Sequence, residues 1–211
     1  MTHQGFGEIA MTMGERWRER LPVRDGVFEL IEHLHAVPQR AYHNLDHIKA
    51  CLESLNEISE GNEPLEAVAA IWFHDCIYVP GAPNNETASA EIAVSFATVL
   101  GLDTQQANTT KQAILATAHQ TTPHDPIDQL VVDADLSILG ADEALYDQYA
   151  KDIRQEWSHV PDREFAKGRM EMMKSFLEKP KIFHTAKAAD RYEQRARTNI
   201  LRELHCLQMT T

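Results

Sequence analysis

The chain has 211 residues, 43% of them apolar and 25% charged, with a formal charge of -12. That composition is ordinary for a globular protein large enough to bury a sizeable core, and no Gly/Ser-rich linker divides it, so one domain over 1–211 is expected. The acidic balance opposes binding to long nucleic acid, which needs clustered Lys and Arg; no apolar run is long enough to span a bilayer; and the N-terminus carries no export signal, so a cytoplasmic location is expected.

Apolar residues recur at helical spacing almost throughout, and no period-two strand of useful length is found, which predicts an all-α fold. Helices are expected at roughly 7–20, 24–36, 42–59, 64–75, 86–101, 104–119, 126–140, 142–158, 161–178 and 185–207. Prolines such as Pro38, Pro64, Pro126, Pro161 and Pro180 fall between these segments or at their starts, where the missing N–H is tolerated. Cys51, Cys76 and Cys206 lack metal-type spacing and read as reduced thiols.

In chain order, the first chemistry-bearing segment is Tyr42-His43-Asn44-Leu45-Asp46-His47. His43 and His47 are four apart and so share a face of the expected 42–59 helix, which continues through Ala50, Cys51, Ser54 and Ile58 and points at least His47 inward. The next is His74-Asp75, at the end of the apolar run Ala67 to Phe73. Both should be buried, and a buried carboxylate must find a cation or several donors. The competing reading is an Asp–His hydrogen bond closing a helix end; a divalent ion answers for both residues at once.

The loop from Cys76 to Asn85, with two prolines, a glycine and two asparagines, follows directly and reads either as a wall of a pocket or as a plain connector. Glu86 opens the next helix, where it can take a proton from an activated water or simply favour the helix N-terminus. His119 ends another helix and is a candidate for a phosphate oxygen or a second metal, or for a structural role. In Asp133-Ala134-Asp135 only one carboxylate can face the site. Asp135, with Val131, Val132, Ile138 and Leu139 at helical spacing, reads as the better buried and is the chosen ligand; Asp133 is left to orient a neighbour or cap a turn.

Two histidines and two aspartates with open positions suit one Mn²⁺, Mg²⁺, Co²⁺, Ni²⁺ or Fe²⁺ better than a closed zinc site. For phosphate, Arg154 and Arg169 stand out among Lys111, Arg154, Lys167, Arg169, Lys174, Arg195 and Arg197. No Gly-rich phosphate loop, nucleophile elbow or zinc-finger spacing is present.

The order His…His-Asp…Asp on successive helices resembles the HD superfamily of metal-dependent phosphohydrolases. More narrowly, Tyr42–His47, Phe73–Tyr78, Asn85–Ala90, Asp133–Gly140 and the Arg-rich Arg195–Asn199 resemble a bacterial branch of predicted HD-type phosphohydrolases. The resemblance implies an HD helical core at about 24–140 with C-terminal helices at about 142–207 packed on it, and metal ligands at His47, His74, Asp75 and Asp135. The Tyr-His-Asn-x-x-His pattern is also similar to cyclic-nucleotide phosphodiesterases, which implies a place for His43 near the leaving group. The expected activity is hydrolysis of a small phosphorylated metabolite, a nucleotide foremost, with His43 as acid and Glu86 or Asp75 taking the proton from water. The alternatives are an HD-fold di-iron oxygenase and a non-catalytic nucleotide-binding module.

Overall fold

The computed structural model describes residues 25–209. The expected helix at 7–20 lies outside them. Nine α-helices and one 3-10 segment are found among the described residues, with no strand: α1 Asp25–His35, α2 Leu45–Ile58, α3 Leu65–Phe73, α4 Asn85–Phe96, α5 Thr104–Ala116, α6 Pro126–Asp135, the 3-10 segment Leu136–Gly140, α7 Glu143–Glu156, α8 Asp162–Glu178 and α9 Ala186–Gln208. The all-α reading is therefore correct.

Local chemistry fixes most of the starts. Asn44 accepts from the backbone N–H groups of Asp46 and His47. Asp103 and Gln106 form a reciprocal capping box, Asp125 caps a helix whose first residue is Pro126, and Asp142 and Thr185 cap α7 and α9. The Asn44 cap corrects one expectation: α2 begins at Leu45, so His43 precedes the helix and does not share a helical face with His47.

Helix α3 is the centre of the architecture. Ala67 through Phe73 are all buried, and a helix that is apolar on every side can be stable only when surrounded. It packs against α2, α4, α5 and α6. Its last turn ends at Phe73, so His74 and Asp75 leave the helix instead of extending it to residue 75 as expected. The expected 126–140 helix likewise tightens to 3-10 geometry after Asp135, and the 104–119 helix stops at Ala116.

Helix α9 lies across the 3-10 segment, which closes the floor of the bundle. Asn199 donates to the carbonyls of Leu139 and Ala141. A Cβ on Gly140 would stand 2.5 Å from the Tyr192 Cβ and 2.8 Å from its backbone, so only glycine admits α9 at this distance. Asp133, wholly buried, accepts from the N–H groups of His184 and Thr185 and from the Thr185 hydroxyl, tying α6 to the start of α9. No helix of the described residues is long and apolar enough to cross a membrane.

Candidate metal centre

Four side chains converge where α2, the end of α3 and the end of α6 meet. His47 Nε2 and His74 Nε2 are 3.1 Å apart. Asp75 Oδ2 lies 3.0 Å from the His74 nitrogen and 3.5 Å from that of His47. Asp135 Oδ1 lies 3.4 Å from His47 Nε2 and 3.6 Å from His74 Nε2. An ion about 2.0–2.2 Å from each donor implies donor–donor separations of about 2.8–3.6 Å, which includes all of these contacts. The tightest group is His47, His74 and Asp135, with one donor atom of each within 4.8 Å of the others; Asp75 joins through the two imidazole nitrogens.

The donor chemistry fits a cation as well. His74 Nδ1–H donates to the Ile71 carbonyl at 2.7 Å, which fixes the ring and turns Nε2 into the cluster. Burial works against a charge on His74, but the Asp75 and Asp135 carboxylates outweigh it and hold its pKa well above the ordinary imidazole value. Burial would raise both aspartates; imidazoles instead hold them well below the usual carboxylate range, those of His74, His43 and His47 acting on Asp75, and those of His119, His47 and His74 on Asp135. The two carboxylates thus favour positive charge in the cluster, and a divalent ion there would take the place of the protons the imidazoles otherwise hold.

Burial was the wrong ground for choosing Asp135 over Asp133. Asp133 is the more buried of the two, but its oxygens are occupied by the α9 N-terminus. Asp135 is only partly buried because it faces a cavity.

That cavity, of about 470 Å³, runs from the cluster between α7, α8 and the 3-10 segment. His43, His74, Asp75, Glu86, His119 and Asp135 line its polar end. His47 lies buried beside them and closes the cluster from behind. His119 Nε2 is 3.2 Å from the second oxygen of Asp135, and its backbone adopts φ 55°, a left-handed conformation unfavourable for a side-chain-bearing residue.

Tyr78, from the irregular loop, lines the cavity and stacks on the His43 ring with centroids 4.0 Å apart. The loop is pinned to α4 by Asn85, which exchanges hydrogen bonds with the backbone of Val79, and by Ser89, which does so with Ile77.

Glu156 is a functional candidate that sequence reasoning missed. Its buried carboxylate accepts from the backbone N–H groups of Tyr42 and His43 and lies 2.6 Å from His43 Nδ1. Burial pushes Glu156 up, yet the His43 hydrogen bond and charge prevail, so its pKa falls below the usual value. Nδ1–H is thereby committed to Glu156, which leaves Nε2 for another partner. Arg40 was missed as well: its guanidinium donates to the carbonyls of Asp75, His43 and Cys76 and clamps the two motif segments together.

The two expected phosphate arginines part company. Arg169 lines the cavity, buried, with Nε and Nη2 donating to Glu203 and its guanidinium over the Tyr149 ring. Arg154 is outside the lining. It donates to the carbonyls of Trp157 and Val160, pairs with Asp162 and covers the Phe165 ring, so it braces the α7–α8 corner, and its assignment to substrate is corrected. In comparisons with protein-family models, curated proteins and solved structures, no match to this chain was found.

Proposed function

We propose that this protein is a divalent-metal-dependent hydrolase of a small phosphorylated substrate, of the HD type its motifs resemble. The observation that carries this reading is the meeting of His47 Nε2, His74 Nε2, Asp75 Oδ2 and Asp135 Oδ1 at the end of a cavity that also presents His43 on Glu156. One ion here would be held by those four residues, and would supply an activated water and polarise a phosphoryl oxygen.

The remaining work falls to the chain. Asp75 and Glu86, both lining the cavity, are the carboxylates placed to accept a proton from the attacking water. His43, with Nδ1–H committed to Glu156, delivers a proton from Nε2 to the leaving oxygen as the P–O bond breaks. Its stack on Tyr78 and its backbone bond to Glu156 hold the ring at the polar end. His119 donates to Asp135 and fixes that carboxylate's orientation.

The test is phosphate release from a panel of phosphoesters by protein stripped with a chelator and then supplied with Mn²⁺, Mg²⁺, Co²⁺ or Ni²⁺. Turnover that is lost on chelation and restored by a divalent ion supports the reading. Silence across the panel with metal bound contradicts it.

A further inference from the structure

Around and beyond its polar end the cavity is walled by Tyr78, Tyr149, Trp157, Phe165, Met172 and Phe176. Tyr149 and Phe176 are buried, whereas Met172 is 41% exposed and stands at the mouth. Among the described residues the lining contains one arginine and no lysine. That arginine, Arg169, is already paired with Glu203 through two hydrogen bonds. Four carboxylates also line the space: Asp75 and Asp135 at the cluster, Glu86, and exposed Glu164.

Charge counting follows from this lining. A divalent ion would offset Asp75 and Asp135 and take one phosphoryl group on its open positions, and among the described residues the lining adds no unpaired Lys or Arg for a second. Each further phosphate would place about one or two negative charges beside Glu86, Glu164 and an aromatic wall with no unpaired cation to receive them. A polyphosphate therefore lacks partners among the described residues, while a flat apolar ring gains contact along most of the cavity.

Resting on the hydrolase reading, we infer that the substrate is a phosphomonoester of a largely apolar, ring-bearing alcohol, and that nucleoside di- and triphosphates are excluded. The reaction is water plus phosphomonoester to alcohol plus inorganic phosphate. The ester P–O bond breaks, a water oxygen bonds to phosphorus, and the alcohol oxygen keeps a proton delivered by His43.

The test has a binding arm and a turnover arm, both on full-length, Mn²⁺-loaded protein. Calorimetry with methylphosphonate, phenylphosphonate and 1-naphthylphosphonate should show affinity rising at least about tenfold across the series, since added ring area leaves water for the aromatic wall. Phenyl and naphthyl phosphate should be hydrolysed with kcat/KM at least about tenfold above that for ADP, ATP or pyrophosphate, the difference expected from about 1.4 kcal/mol or more of unpaired charge. Met172→Lys, at an exposed position, should weaken naphthylphosphonate and strengthen ADP binding. Equal affinity across the phosphonates, or preference for ADP with chelator-sensitive turnover intact, overturns the substrate class and leaves the hydrolase reading standing. Ring-dependent phosphonate binding with no hydrolysis of any ester overturns the hydrolase reading and leaves the ligand class standing.

Discussion

His119 separates function from stability, because the fold and the site ask opposite things of it. Its φ of 55° is a backbone state in which a side-chain-bearing residue costs about 1–2 kcal/mol. Replacing it with glycine removes that strain but adds about 0.5–1 kcal/mol of unfolded-state entropy. The substitution also deletes a 3.2 Å hydrogen bond to Asp135, about 1 kcal/mol at a partly exposed position, and an edge contact with Phe176. These terms nearly cancel, so His119→Gly should change stability by no more than about 1 kcal/mol, a Tm shift of about 2–4 °C for a chain of this size. Metal affinity should fall about 10–100-fold, because Asp135 loses the group that orients it. His119→Asn, which tolerates the same φ but has a shorter reach, should behave alike. Calorimetric Mn²⁺ titration and thermal unfolding of the two metal-free variants decide the matter. A Tm loss above about 8 °C, or unchanged Mn²⁺ affinity, would refute the positioning role.

Three further outcomes are expected. Glu156→Gln keeps the acceptor for the two backbone N–H groups but turns an amide toward His43 Nδ1, so kcat should drop about 10–100-fold with KM little changed and metal content intact; unchanged kcat removes Glu156 from the site's working parts. Gly140→Ala sets a Cβ against the α9 backbone and should destabilise by about 1–3 kcal/mol, read by urea unfolding, whereas a neutral result would show that α9 can move away. Burial in α1 takes His35 down to about 4. The native protein then binds fewer protons than the unfolded chain as pH falls from about 6.5 to about 4, so stability present above 6.5 is lost over that window, by roughly 3 kcal/mol at most. His35→Leu should flatten that part of the stability profile, and an unaltered slope would contradict the assignment.

Helix order was legible because the apolar stripes and the capping residues agree, and the burial of His47 and His74 followed from their place on those stripes. Helix ends were less legible: His43 and Asp75 sit in turns where helical phase no longer says where a side chain points. That is why spacing alone puts His43 on a helix; the two carboxylates of α6 lie inside a helix, and there a burial argument drawn from neighbours in sequence fails. Asp133 is held by residues 51 and 52 positions away, a contact no local pattern encodes.

Glu156 did leave a signal. It continues the stripe Tyr146, Tyr149, Ile153 on α7, and a carboxylate on an apolar stripe demands a partner. Arg40 left none, since a loop arginine clamping three carbonyls looks like any surface cation. The apolar wall drawn from α7 and α8 is little legible, because helical spacing does not separate a core side chain such as Tyr149 from one that lines a cavity.

The central claim is that one divalent ion at His47, His74, Asp75 and Asp135 makes this protein a phosphohydrolase. Metal content and phosphate release should be measured on the same preparations of wild type and Asp75→Ala. The account predicts about one ion per chain and metal-dependent turnover in the wild type, with both abolished in the variant while its helical content is retained. Full activity in Asp75→Ala, or a metal-loaded wild type that releases no phosphate from any ester, would contradict it.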